Sequence, residues 1–267
     1  MSEIARAIGV NLASCHAILN ELTERGYLAR NPTLKTYMLG PALVAMGNAA
    51  LRNQSLIARA QQAAEALSRE HGVTVTLARA IGAEVVGIFA VAGPEGLGVG
   101  VRPGFRLPLM PPIGAPYLAW SSEKAIEEWI ARRPHEVDGK MVERWRSALA
   151  LVRQRGYQVL LRSATSSYFP KLVSELSAGQ NVSNYKNRIV DYFESDDQSH
   201  RQPSELSPEG FYDVILIAAP IFDQQGNVLY NLCIGELAGT VTGETIQKYA
   251  ESLLRTCVKI MRDGSVM

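Results

Sequence analysis

Apolar residues recur with helical spacing in two short runs at the start of the chain: Ile4, Ala5 and Ile8, then Cys15, Ile18, Leu19 and Leu22. Gly9 stands between them, where a left-handed residue ends a helix. Asn11 is placed to cap the second helix. Ala5 is small enough for that helix to cross close above it. Two helices meeting at a steep angle, the second with one face free, make a helix-turn-helix. Residues 26–30 and 35–39 follow as strand-like runs around the turn Asn31-Pro32-Thr33-Leu34. The pattern therefore predicts a winged helix-turn-helix over residues 1–40. A plain helical hairpin, or a winged helix used for protein contact, fits the same pattern.

The period stays helical through residues 41–72, with Leu56, Ala60, Ala63, Ala64 and Leu67 on one face. Asn48 and Asn53-Gln54-Ser55 suggest a break near the middle. From Val73 the period becomes two. Residues 73–79 and 84–90 read as strands around a turn at Gly82, and the glycine-rich run 93–98 as a loop. A further strand region covers 99–109. An apolar corner, Pro111-Pro112-Ile113-Gly114-Ala115-Pro116, leads into a short helix at 117–120. Ser121 or Ser122 can cap a helix reaching about Arg132. Val142, Trp145, Leu149 and Val152 mark an amphipathic helix between Gly139 and Gly156, and 157–161 reads as a strand. Within 163–210, residues 169–176 and 185–193 have helical spacing, and 195–208 reads as a loop. The clearest hairpin joins strands 212–222 and 227–235 through Asp223-Gln224-Gln225-Gly226. Thr242 caps a last helix ending near Met261. From residue 73 onward the fold class is α+β, an antiparallel sheet with helices packed on it.

The composition narrows the function. The chain has 267 residues, enough for two cores, and a net charge of +1. Bulk charge therefore gives no argument for nucleic-acid binding, and any DNA contact rests on a local patch. Within residues 1–40, Arg6, Arg25, Arg30 and Lys35 face Glu3, Glu21 and Glu24, a balance of 4 − 3 = +1. Cys15, Cys233 and Cys257 are far apart, with no metal spacing. His16, His71, His135 and His200 are scattered, and no Gly-x-Ser-x-Gly or His-Glu-x-x-His run occurs. The sequence therefore predicts no enzyme, metal or cofactor. Without a long apolar run or a leader it reads as cytoplasmic, with no membrane partner.

In order along the chain, SEIARAIGV…SCHAILNELTERGYLAR, YMLGPALVAMG, GFRLPL…IGAPYLA, LVRQRGY and IAAPIFDQQGNV resemble the IclR family of bacterial transcriptional regulators. The resemblance implies a winged helix-turn-helix at 1–40, linker helices at 41–72 and a GAF/profilin-like effector-binding domain at 73–267. It implies homodimers, or dimers of dimers, on operator DNA. A small organic effector, often a carboxylic acid or an aromatic, then modulates operator affinity. The family's winged helix opens with one more helix, so the resemblance also implies a chain that starts short. Where the family usually has Arg after His16, this chain has Ala17. Where it has Gly-Lys, this chain has Gly114-Ala115. The segment 163–210 is longer than the family leads one to expect.

Asn11, Ser14, His16 and Asn20, on or beside the second helix, are the candidates for base and phosphate contact, with Arg30 and Lys35 on the wing for phosphates. Asn11 as a mere cap and Asn20 as a solvated side chain are the alternatives. The resemblance places effector binding at Ile113, Gly114 and Ala115 and on the last hairpin at Ala219, Cys233 and Gly235. Asp213 and Glu236 flank the same strands. Arg106 is able to hold a carboxylate in bidentate fashion, or to serve a structural ion pair. Two rival functions remain open: a ligand-sensing or interaction module that has lost DNA binding, and an enzyme built on the sheet domain.

Overall fold

The computed structural model describes residues 2–53, 55–93, 103–133, 137–161, 205–235, 237 and 239–262. The helical runs expected at 169–176 and 185–193 lie outside these residues. So do most of the loop at 195–208, the loop beyond Gly93, the start of the 99–109 strand region, and Glu236. The chain divides into two compact units, Met1–Ala58 and Arg59–Met267.

In the first unit, α1 (Ser2–Ile8) and α2 (Leu12–Glu24) meet at Gly9, whose φ of 69° supplies the left-handed turn. The Val10 N–H returns to the Ala5 carbonyl at 3.1 Å and closes the end of α1. Asn11 caps α2, its Oδ1 accepting the Ser14 N–H at 2.8 Å. Ala5, Cys15 and Leu19 form the buried centre, surrounded by Ile4, Val10, Leu28 and Tyr37. Strands β1 (Leu28–Arg30) and β2 (Tyr37–Leu39) pair antiparallel. Asn31 shapes their connection by accepting the Thr33 and Leu34 N–H groups, both at 3.0 Å. Gly40 then passes against the end of α2, its N–H bonded to the Tyr27 carbonyl at 2.8 Å. Helix α3 (Ala42–Asn53) follows. It runs unbroken through Asn48 and ends at Asn53, and the next helix starts at Ser55, so the change of helix falls at the second of the two places expected.

Helix α4 (Ser55–His71) buries Ile57, Ala60, Ala64 and Leu67. The second unit is built on a seven-stranded antiparallel sheet. Its strands are β3 (Thr74–Ile81), β4 (Glu84–Val91), β5 (Arg106–Pro108), β6 (Gln158–Leu161), β7 (Phe211–Phe222), β8 (Val228–Gly235) and β9 (Thr240–Thr242). The order is β5-β4-β3-β8-β7-β6, with β9 paired to β7. The fold is α+β. The helices α5 (Ala115–Leu118), α6 (Glu123–Ile130) and α7 (Gly139–Arg155) share one apolar cluster with Ala78, Val85 and Leu160. Helix α8 (Gly243–Arg262) packs along β7 and β8. Its buried Ile246, Ala250, Leu253, Cys257 and Ile260 recur every three to four residues. Helix α5 starts two residues earlier than expected because Pro116 suits a first helical turn. Ser122 caps α6, and the Thr242 hydroxyl accepts the Thr245 N–H at 3.2 Å at the start of α8.

His71, at the end of α4, packs edge-on against Tyr249 of α8, with ring centroids 5.0 Å apart. Burial holds its pKa below the ordinary 6.5. Glu70 opposes that shift, and Lys248 and Arg255 reinforce it. Nε2 lies 3.4 Å from the Glu70 carboxylate but makes no hydrogen bond. The folded protein therefore holds the neutral imidazole, and the unfolded chain binds the proton more readily. The stability in this contact is fully present above pH 6.5 and is lost as the pH falls below it, by at most about 1.4 kcal/mol per pH unit. Urea titrations above and below that pH should show a shallower slope for His71→Phe than for the native chain.

Candidate nucleic-acid interface and buried polar face

Two places collect polar side chains that the fold itself does not use up. The first is the outer face of α2. With Cys15 and Leu19 turned inward, Ala13, Ser14, His16, Ala17 and Asn20 are exposed. The Asn20 amide nitrogen lies 3.3 Å from His16 Nδ1, so the amide donates and the ring nitrogen accepts. Asn11 is committed to its cap, yet stays exposed beside the start of the helix. Arg30 ends β1, and Lys35 sits in the hairpin connection, both exposed. Lys35 has φ of 52°, a left-handed conformation that costs a non-glycine residue about 1 kcal/mol or more. Arg25 is taken by Glu21 of the same helix, which raises its pKa.

The second is one face of the sheet. Opposed residues in an antiparallel ladder share a face, so Thr76, Cys233, Ala218 and Gln158 form one row. Thr74, Gly235, Leu216 and Leu160 form the next row on that face. Asn231 is two residues from Cys233 and points the same way. Helix α5 lies against β7 and β8 and brings Tyr117 to this side. Among the described residues, Gln158 Nε2 and Asn231 Oδ1 are buried here without a hydrogen-bond partner, and the buried Tyr117 Oη has only the Asn231 backbone N–H near it. Burial pushes the Tyr117 hydroxyl well above the usual tyrosine range, and the neighbouring Cys233 adds to the shift. Burial likewise raises the Cys233 thiol to about 12, which makes it an inert, neutral group.

The corner before α5 is firmly held. Trp129 Nε1 donates to the Ile113 carbonyl at 2.9 Å, and Arg132 to the Leu109 carbonyl at 3.1 Å. Gly114 has φ of 85°, and a Cβ there would strike the Leu109 side chain. Ile113 and Ala115 are buried in the apolar cluster that includes Tyr117.

The IclR helix-turn-helix domain matches residues 1–32. The HTH-type transcriptional regulator XynR of Escherichia coli K12 is 28% identical over 164 residues. That match takes in 59% of this chain and 64% of XynR, so the chain spans just under two thirds of that relative. An IclR transcriptional regulator from Alicyclobacillus acidocaldarius superposes with a TM-score of 0.69 at 20% identity, covering 98% of this chain and 88% of that one. The chain thus resembles IclR regulators in its first 32 residues and in its fold. An IclR homologue from Microbacterium hydrocarbonoxydans, crystallised with 4-hydroxybenzoate, has the same fold, with a TM-score of 0.60 at 19% identity over 98% of this chain and 89% of that one.

Against this IclR frame, the residues singled out in the sequence fall into separate places. Ser14, His16 and Asn20 share the exposed side of α2. Cys233 and Gly235 share the polar sheet face. Ala219 does not: it pairs with Leu232, its side chain turns to the opposite face, and its carbonyl lies 3.9 Å from the Cys257 sulfur of α8. The alanine on the polar face is Ala218. Arg106 is on the edge strand β5, largely exposed and bonded to Glu84 at 2.7 Å, the ion pair that was one of its two readings. Asp213 pairs with Thr240 of β9. Sequence reasoning missed Tyr117, Asn231 and Gln158. A signal for two of them existed, since VLYNLCIG and QVLL each set an amide inside an otherwise apolar strand run.

Proposed function

We propose that this chain is a DNA-binding transcriptional regulator whose operator affinity responds to a small organic effector. The observation that carries the DNA half is the capped α2, whose exposed side presents Ser14, His16 and Asn20, followed by a hairpin with Arg30 and Lys35. In helix-turn-helix docking the second helix enters the major groove, and basic residues of the wing meet phosphates. On this reading residues 1–40 bind operator DNA, 41–72 link, and 73–267 bind the effector. The protein acts in the cytoplasm as a homodimer or a dimer of dimers, and it has no catalytic role. The effector half rests on the Gln158 and Asn231 side-chain atoms left without a partner among the described residues, with Tyr117 beside them, because each buried polar group without a partner costs about 1–3 kcal/mol and a ligand would relieve that cost. Cys233, Gly235, Ile113, Gly114 and Ala115 lie on the same face or in the corner beside it. An effector that binds one arrangement of the dimer better than another shifts operator affinity by that difference.

The test of the DNA half is the salt dependence of binding to duplex DNA by the full chain. Arg30→Gln and Lys35→Gln should each flatten the slope of log affinity against log salt by about 0.9. Unchanged slopes for both would remove the wing from the interface. For the effector half, Tyr117→Phe should change the stability of the free protein by less than about 1 kcal/mol, since the buried hydroxyl makes no well-formed hydrogen bond and has only the Asn231 backbone N–H near it. Chemical denaturation of the two proteins reads this directly, and a larger loss of stability would show that the hydroxyl is satisfied in the free protein.

A further inference from the structure

We propose that α2 reads A·T base pairs, with Asn20 pairing an adenine and His16 holding the Asn20 amide in position to do so. The inference rests on the DNA-binding reading above. The helix LASCHAILNELTE contains no Lys or Arg, and those are the residues that commonly read the O6 and N7 of guanine. Arg25, next in sequence, is engaged by Glu21. The same contact occupies a carboxylate that would otherwise be able to accept from cytosine. What α2 exposes instead, beside Ser14 and His16, is the Asn20 amide and the methyl groups of Ala13 and Ala17. Asn20 offers the acceptor and donor pair that matches adenine N6 and N7. Ala17 and Ala13 lie three and seven residues before it on the same exposed stripe, and alanine methyls suit the thymine methyl.

The Asn20–His16 contact gives this reading its geometry. An amide nitrogen carries two N–H bonds. One is given to His16 Nδ1 at 3.3 Å, and the other stays with Oδ1 for a base edge. His16 therefore fixes the amide plane before DNA arrives, so less side-chain freedom is lost on binding. With Nδ1 accepting, the neutral ring carries its proton on Nε2, which is free to donate to a phosphate. His16 is a positioning residue for the base contact, and Asn20 is the specificity-determining one.

The experiment is a selection of duplexes from a random pool by the full chain, followed by affinities of the winning duplex and its single-pair substitutions. The native chain should enrich an A·T pair whose replacement by G·C costs roughly ten- to a hundredfold in affinity. Asn20→Ala should erase that preference at this pair while leaving the salt slope unchanged. His16→Ala should weaken the preference severalfold, and His16→Gln, which keeps an acceptor, should restore it. Enrichment of G·C at the Asn20-dependent pair, or a preference that Asn20→Ala does not move, overturns the proposal. Salt-sensitive but sequence-blind binding overturns it while sparing the DNA-binding reading. Failure to bind any duplex overturns both.

Discussion

Trp129→Ala should destabilise the sheet-bearing unit by about 3–5 kcal/mol. Trp129 is 1% exposed, and its ring packs edge-on to Trp145 with centroids 6.5 Å apart. Truncation leaves a cavity at the junction of α6, α7 and the corner before α5. It also strips the Ile113 carbonyl of the indole N–H that reaches it at 2.9 Å. The corner then loses its main anchor, and with it the fixed position of Tyr117 over the sheet. Trp129→Phe keeps most of the volume and loses the donor, so it should cost about 1–2 kcal/mol. Urea denaturation followed by circular dichroism would separate the two variants. Equal losses would mean that the hydrogen bond, not the packing, carries the site.

Gly40→Ala should cost the winged unit about 2–3 kcal/mol, enough to unfold much of it. A Cβ at Gly40 would collide with the Gly26 carbonyl, a backbone atom that no side-chain rotation can move away. That carbonyl also accepts the Ala42 N–H at 3.1 Å, and the Gly40 N–H is bonded to Tyr27. The close pass of Gly40 over Gly26 thus sets the distance between the end of α2 and β2. The unit has few reserves, since among its described residues the buried cluster at its centre is small, Ala5, Cys15 and Leu19. Proteolysis of Gly40→Ala should cut within residues 1–58 while sparing the rest of the chain, and DNA binding should fall in parallel. Retention of native protease resistance would show that the strand shifts to absorb the methyl group.

The parts of this protein that are legible in its sequence are those settled by neighbours a few residues apart. Gly9 and Asn11 announce the turn and the cap because both act on their own backbone. The turn at 223–226 is equally local: Asp223 accepts the Gln225 and Asn227 N–H groups at 2.9 and 2.8 Å. What the sequence hides are pairings between distant segments. That β3 lies between β4 and β8 follows from contacts between residues near 76 and near 233, which no local period encodes. The strand run around Ala218 and Ala219 is apolar on both sides, so alternation cannot say which alanine shares a face with Cys233. Register decides it, in favour of Ala218. The Gly40–Gly26 approach and the buried Tyr117 hydroxyl are likewise products of the fold. Arg106 was legible as a charge, and its partner Glu84 appears only once β5 is set against β4.

The claim on which the account turns is that the first unit recognises DNA through α2. The most direct measurement is an anisotropy titration of the full chain against a selected duplex and a scrambled one, at low and at near-physiological salt. The account predicts saturable binding to the selected duplex that weakens with salt, and at least a thousandfold weaker binding to the scrambled one, as about 4 kcal/mol of specificity requires. Equal affinity for the two duplexes, or no binding by the intact folded chain, would contradict it and leave a ligand-sensing module that does not address DNA.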